Sequence, residues 1–114
     1  MVLLTKVVHI SQVPKDWKNN PEFVYIGRYN AKLNLSGSPF QNPNYLSNEA
    51  DRDIVCDAFK RGFDDNENLK KLALARLVDK TLVCFCKPKK CHGDILADYV
   101  NQHQLTWNKA ETGQ

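Results

Sequence analysis

"TLVCFCKPKKCHGDILADYV", residues 81 to 100, decides the fold. Residues 81 to 86 are apolar almost throughout and stop abruptly at "KPKK", which marks them as the central strand of a sheet. After the loop, "DILADYVNQHQ" is an amphipathic helix, with Leu96, Tyr99, Val100 and His103 at core-facing spacing. Strand, short loop and helix follow in that order. The arrangement puts Cys86 to Asp94 at the carboxyl end of a strand and the amino end of a helix, where ligands bind in open α/β sheets.

Working outward, "KVVHI" (residues 6 to 10) and "FVYIG" (residues 23 to 27) are short and β-branched, and read as further strands. Neither alternates cleanly with polar residues, so both are expected to be covered on two faces, as in a parallel sheet. Between them "SQVPKDWKNNPE" is a loop. "SNEADRDIVCDAFKRGF" reads as a helix capped by Ser47 or Asn48. Ala50, Ile54, Val55, Ala58 and Phe59 form its apolar stripe, Cys56 lies beside it as a structural thiol, and Gly62 ends it. "DDNENLKKLALARLVDK" is a second helix with Leu69, Leu72, Ala73 and Leu77 on its buried face. Both helices read as scaffold. The expectation is a small single α/β domain over residues 1–105: a short, mostly parallel sheet flanked by about three helices, Rossmann-like, with residues 106–114 as a tail pinned by Trp107.

At 114 residues there is room for one core and no second domain. With 42% hydrophobic residues the chain is too apolar for disorder and needs no disulfide framework to fold. The apolar run in "MVLLTKVVHI" is too short for a signal peptide or a membrane span, so the expected setting is the cytoplasm. There thiols stay reduced, and four cysteines point to core, metal or catalysis. The net charge of +3 is too weak for a duplex nucleic-acid binder. The positive charge is local instead: Lys87, Lys89 and Lys90 crowd one loop with only Asp94 nearby to oppose them, which suits an anionic ligand.

Three chemistries are open for that loop. As an anion site, the unpaired amides of the first helical turn would face the ligand and Gly93 would let the backbone approach it. Asp94 would either complement the helix dipole or take a sugar hydroxyl. As a metal site, Cys84, Cys86, Cys91 and His92 are the candidate ligands. Cys84 and Cys86 stand roughly 6.5 Å apart along the strand, with no Cys-x-x-Cys knuckle to bring two thiolates to one ion. As a reactive centre, Cys91 sits beside His92 and Lys90, which would lower its pKa, although the Cys-x5-Arg loop of cysteine phosphatases is absent. His92 could cap the helix, donate to a phosphate, or act as acid–base. Cys91, His92 and Asp94 are thus the candidates for any catalysis.

Residues 28 to 46, "RYNAKLNLSGSPFQNPNYL", form a long loop whose aromatics Tyr29, Phe40 and Tyr45 favour order. With "VVHI", "VYIGR", "SPFQNP" and "CFCKPKKCHGDILADYV" in this order, the chain from about Val7 to about Asn101 resembles an uncharacterised bacterial and phage family, domain of unknown function 4326. Tyr25, Gly27 and Arg28 match its first motif, and Ser38, Asn42 and Pro43 its second, where Phe40, Gln41 and Asn44 replace tryptophan, glycine and phenylalanine. Cys84, Cys86, Pro88, Cys91, His92, Gly93 and Asp94 match its third. Tyr29 to Gly37 looks like an insertion. The resemblance implies a compact α/β domain whose Arg28 loop and Cys-His-Gly-Asp loop converge.

The functional expectation is therefore a nucleotide or nucleotide-derived anion held between these loops, bound, sequestered or processed. Arg28 would clamp a phosphate, Ser38 and Asn42 would hydrogen-bond, and Phe40 or Tyr25 would stack on a base. Tyr25, Gly27, Cys86, Lys90, Cys91, His92, Gly93 and Asp94 complete the expected pocket. No cofactor and no membrane partner are implied. The other readings are a zinc or iron module and a phage-encoded interaction domain aimed at a host protein.

Overall fold

The structure is a computed structural model, and it describes residues 4–43, 48–85, 87 and 89–112, with side chains as far as 103. Three strands form one sheet: β1 (Lys6–His9), β2 (Phe23–Tyr25) and β3 (Thr81–Cys84). The order is β1-β3-β2 and both pairings are parallel, with Val8 opposite Val83 and Val24 opposite Leu82. The stretch that reads as the central strand from its sequence is the central strand. Each strand ends earlier than the apolar run suggests, because Ile26 and Phe85 already belong to the turns that build the cleft described below.

The helices are α1 (Arg52–Asp64), α2 (Glu67–Arg76) and α3 (His92–Thr112). Alternation along β3 separates two apolar clusters. Leu82 and Cys84 face the main core with Phe59 and Phe63 of α1, Ala73 of α2, and Leu96, Ala97 and Val100 of α3. Val83 faces the other way, onto Trp17 and Leu35, which come from loops. The sheet is thus covered on both faces, but its helices all contribute to one side. A doubly wound Rossmann sheet carries helices on both; here the connection from β1 to β2 is two short 3₁₀ turns with Trp17 packed inward.

Local signals explain the helix boundaries. The Asn48 side chain accepts from the Ala50 amide at 3.0 Å and opens a single 3₁₀ turn that leads into α1. Ser47, the other cap candidate, lies outside the described residues. Asn66 caps α2 by accepting from Leu69 N at 3.0 Å. Gly62 does not end α1, which runs on to Asp64 so that Phe63 can reach Tyr99 of α3, ring centroids 5.2 Å apart. The buried face of α1 is Cys56, Phe59 and Phe63, rotated from the expected stripe, and Ile54 is 63% exposed. On α2 the expected face is the observed one: Ala73 and Leu77 are fully buried, and Leu69 and Leu72 pack against them.

Leu96 and Val100 of α3 face the core as expected, while His103 is exposed. The helix continues through the segment expected to be a tail, since "LTWNKAET" holds no proline or glycine to stop it. The side chain of Trp107 lies outside the described residues. Asn101 ties α3 to the sheet, donating to Thr5 O at 2.9 Å and accepting from Thr5 N at 2.8 Å. Among the described residues no helix is long and apolar enough to cross a membrane.

Candidate functional site

Beyond the carboxyl ends of β2 and β3 lies a cleft of ≈ 260 Å³. Five stretches of chain wall it. The end of β2 and the turn after it give Tyr25, Gly27, Arg28, Tyr29 and Asn30; the end of β3 gives Cys84 and Phe85; α1 gives Arg52, Val55 and Cys56; the loop into α3 and its start give Lys90, Cys91 and His92; and Asn42 lies beside them. The Arg28 loop and the Cys-His-Gly-Asp loop do converge here.

The Tyr-Ile-Gly-Arg turn is held by its own members. Tyr25 Oη donates to Arg28 O at 2.6 Å, curling the chain over the tyrosine ring. Gly27 is required beneath that ring, because a Cβ there would sit 2.6 Å from Tyr25 Cζ. Burial, and secondarily the charge of Cys84, raise the Tyr25 pKa, so the hydroxyl stays a donor. Gly27 O accepts from Ser38 N at 2.9 Å, and Ser38 Oγ accepts from Phe40 N at 3.0 Å. Ser38 is therefore a buried turn residue, and Phe40, 1% exposed, is a core side chain. Neither lines the cleft.

The start of α3 is organised around Cys91. Cys91 occupies the N-cap position: its Sγ accepts from Gly93 N at 3.4 Å, and its own N–H donates to Asp94 Oδ2 at 3.2 Å. The thiol thus caps the second helical residue, and the carboxylate of the third caps the Cys91 amide in return. These two amides are engaged within the turn instead of facing a ligand. Gly93 serves packing, since a Cβ there would stand 2.6 Å from Ile26 Cδ1 and 3.0 Å from Val7 Cγ1. Asp94 also pairs with Lys87, which raises the lysine's pKa. The basic cluster is answered by carboxylates from α1 and the turn before it: Lys89 meets Glu49 at 3.5 Å and Lys90 meets Asp53 at 3.3 Å.

His92 is 9% exposed, with its Nε2 2.8 Å from Ile26 O. A carbonyl can only accept, so Nε2 carries the proton and Nδ1 presents a lone pair. Nδ1 lies 3.7 Å from Cys91 Sγ. The edge-to-face contact with Phe59, centroids 5.1 Å apart, walls the ring on another side. Burial pushes the His92 pKa below its ordinary 6.5. The backbone of Ile26 and Phe40 opposes that shift, the positive charge of Arg28 adds to it, and Asp94 counters it. The imidazole is neutral at pH 7.

Of the residues the sequence nominated, Tyr25, Gly27, Arg28, Asn42, Lys90, Cys91 and His92 line the cleft; Ser38, Phe40, Gly93 and Asp94 do not, for the reasons above. Cys86 lies outside the described residues, as do Tyr45 and Asn44. The sequence reading missed α1, treated as scaffold. Arg52, Val55 and Cys56 stand at helical i, i+3, i+4 spacing, which was the available signal. Arg52 meets Glu49 through two nitrogens, at 2.9 and 2.7 Å, and donates from Nη1 to Lys90 O at 2.8 Å, clamping the lysine loop onto the helix. The Tyr29–Gly37 segment is a small closed loop, with Asn30 and Leu35 exchanging backbone hydrogen bonds at 2.9 Å and Leu35 buried under the sheet. It delivers Tyr29, 72% exposed, to the cleft, and Phe85, 41% exposed, lines the cleft from the end of β3. Among the described residues no three histidine, cysteine or acidic groups are arranged to hold a metal ion. Cys56, Cys84 and Cys91 are thiols buried around this one cleft.

The family described as Domain of unknown function (DUF4326) matches residues 9–102, and the chain belongs to it. An uncharacterized 12.4 kDa protein of the nrdA-td intergenic region of Enterobacteria phage T4 is 38% identical over 63 residues, 52% of this chain. The match spans 58% of that relative's length. No solved structure matches the chain.

Proposed function

We propose that this member of the family binds a nucleotide or nucleotide-derived anion in the cleft at the ends of β2 and β3. The observation that carries the reading is the cleft's composition: Arg28, Arg52 and Lys90 come to it from three separate segments, and two exposed aromatic rings, Tyr29 and Phe85, line it with them. Ligand sites of this kind combine apolar walls with a few convergent polar groups. With the helix start capped by Cys91 and Asp94, the phosphate contacts come from side chains. Arg28 is the forked donor suited to phosphate. The Lys90–Asp53 pair is solvent-exposed and so contributes little, and a phosphate can replace the carboxylate at small cost. Phe85 and Tyr29, in place of Phe40 and Tyr25, are the stacking surfaces for a base, and Asn42 supplies an amide to its edge.

Thermal-shift measurements over a panel of mono-, di- and dinucleotides, followed by calorimetry on any hit, test the reading. Removing a hydrogen bond to a charged group costs about 1.5–3 kcal/mol, so Arg28→Ala should weaken binding roughly 10- to 100-fold. Phe85→Ala should weaken it by a similar factor through lost stacking, about 1–3 kcal/mol. A panel in which no nucleotide raises the melting temperature of the wild type overturns the proposal.

A further inference from the structure

We propose that Cys91 and His92 form a nucleophile–base pair at the floor of the cleft, acting on an electrophilic carbon of a phosphate- or carboxylate-bearing substrate. Three observations converge on it. First, the two groups are in contact and the roles are fixed: Nε2–H is committed to Ile26 O at 2.8 Å, so the Nδ1 lone pair, 3.7 Å from Sγ, is the acceptor and the thiol the donor. A nucleophile, a base, and a third group that orients the base is the arrangement nucleophilic catalysis needs. Second, the sulfur already accepts an N–H from Gly93 at 3.4 Å, at the positive end of a long helix, which stabilises negative charge on it. Third, both residues, 1% and 9% exposed, lie in the wall of a cleft that also contains Arg28, Arg52 and Lys90, so an anion held there would sit beside the thiol. Cys84 and Cys56 line the same cleft, yet neither stands next to an imidazole in sequence.

The step balances without another reagent. His92 Nδ1 takes the Sγ proton as the Sγ–C bond forms, the bond from that carbon to its leaving group breaks with its electron pair, and the proton passes from Nδ1 to the departing group. The substrate class rests on the anion-binding reading of the cleft, whereas the pair itself does not. Capping is the competing role for Cys91, and Cys91→Ser separates the two, since a serine hydroxyl caps at least as well but is a far weaker nucleophile.

The test is competitive alkylation of the full chain with iodoacetate and its neutral analogue iodoacetamide, read cysteine by cysteine by peptide mass spectrometry. With iodoacetate the Sγ–C bond forms and iodide leaves. Cys91 should be labelled well ahead of Cys56 and Cys84 in the wild type, and faster by iodoacetate than by iodoacetamide. AMP or inorganic phosphate should slow the reaction. His92→Gln should slow labelling at Cys91 by on the order of a hundredfold, and Cys91→Ser should keep the wild-type melting temperature while losing the fast label. Equal labelling of the three cysteines in the wild type overturns the pair, with no variant required. Fast, His92-dependent labelling that shows no preference for iodoacetate and no protection by AMP upholds the pair and overturns the anionic substrate. A Cys91→Ser protein that melts far below wild type, with equal labelling in the wild type, assigns Cys91 to structure alone.

Discussion

Gly93→Ala separates packing from ligand approach at the Cys-His-Gly-Asp turn. An alanine Cβ would lie 2.6 Å from Ile26 Cδ1, 3.0 Å from Val7 Cγ1 and 3.3 Å from Val7 Cγ2. The isoleucine methyl is the end of a flexible chain, but Ile26 is fully buried in the main core, so a shift presses it on its core neighbours. Val7 belongs to β1, whose pairing to β3 fixes it from the other side. Overpacking of this kind costs about 1–3 kcal/mol. Helix propensity returns at most about 1 kcal/mol for glycine to alanine, less in the first turn. The net expectation is a loss of about 1–2 kcal/mol, read as a lowered urea midpoint with an unchanged slope. Because Ile26 O accepts from His92, displacing Ile26 should also disturb the imidazole and slow Cys91 alkylation. If Gly93 were there to admit a ligand, the variant would unfold like wild type and lose only binding. That result would refute the packing assignment.

Two further outcomes are expected. Phe40→Ala should destabilise the domain by about 3–5 kcal/mol, a large part of the roughly 5–15 kcal/mol typical of a whole domain. Denaturant unfolding decides it, since a residue that stacked on a ligand would leave the midpoint unmoved. For His92, the folded pKa lies below the unfolded value of 6.5, so the unfolded chain binds the proton first on acidification. Its contribution to stability is complete above pH 6.5 and declines as the pH falls from there toward the folded pKa. His92→Gln should flatten that part of the stability–pH curve, and an unaltered curve would mean the imidazole titrates normally.

What could be read from the sequence follows the range over which each signal acts. The strand–loop–helix from Thr81 to Val100 is contiguous, so its apolar run and its change of period locate both the central strand and the cleft. The contacts within that cleft depend on partners far along the chain. Three lysines in four positions read as opposed by Asp94 alone, because Glu49 and Asp53, which meet two of them, are about forty residues earlier. Phe40 in a loop of prolines and asparagines reads as a stacking surface for a base, whereas the loop, folded inward with Ser38 N bonded to Gly27 O, carries it into the core.

The face of α1 shows the same dependence and bears on the cleft itself. Helical periodicity alone admits a stripe through Ala50, Ile54, Val55, Ala58 and Phe59 as readily as one through Cys56, Phe59 and Phe63. Phe59, common to both, packs on His92, and Phe63 against Tyr99 selects the second. That rotation turns Arg52, Val55 and Cys56 toward the ends of β2 and β3, and it brings the Arg52 guanidinium to Lys90 O. The cleft and the core are therefore set by one choice of helix face. A substitution at Phe59 that shifted α1 would act on both, removing the imidazole's aromatic wall together with the clamp on the lysine loop.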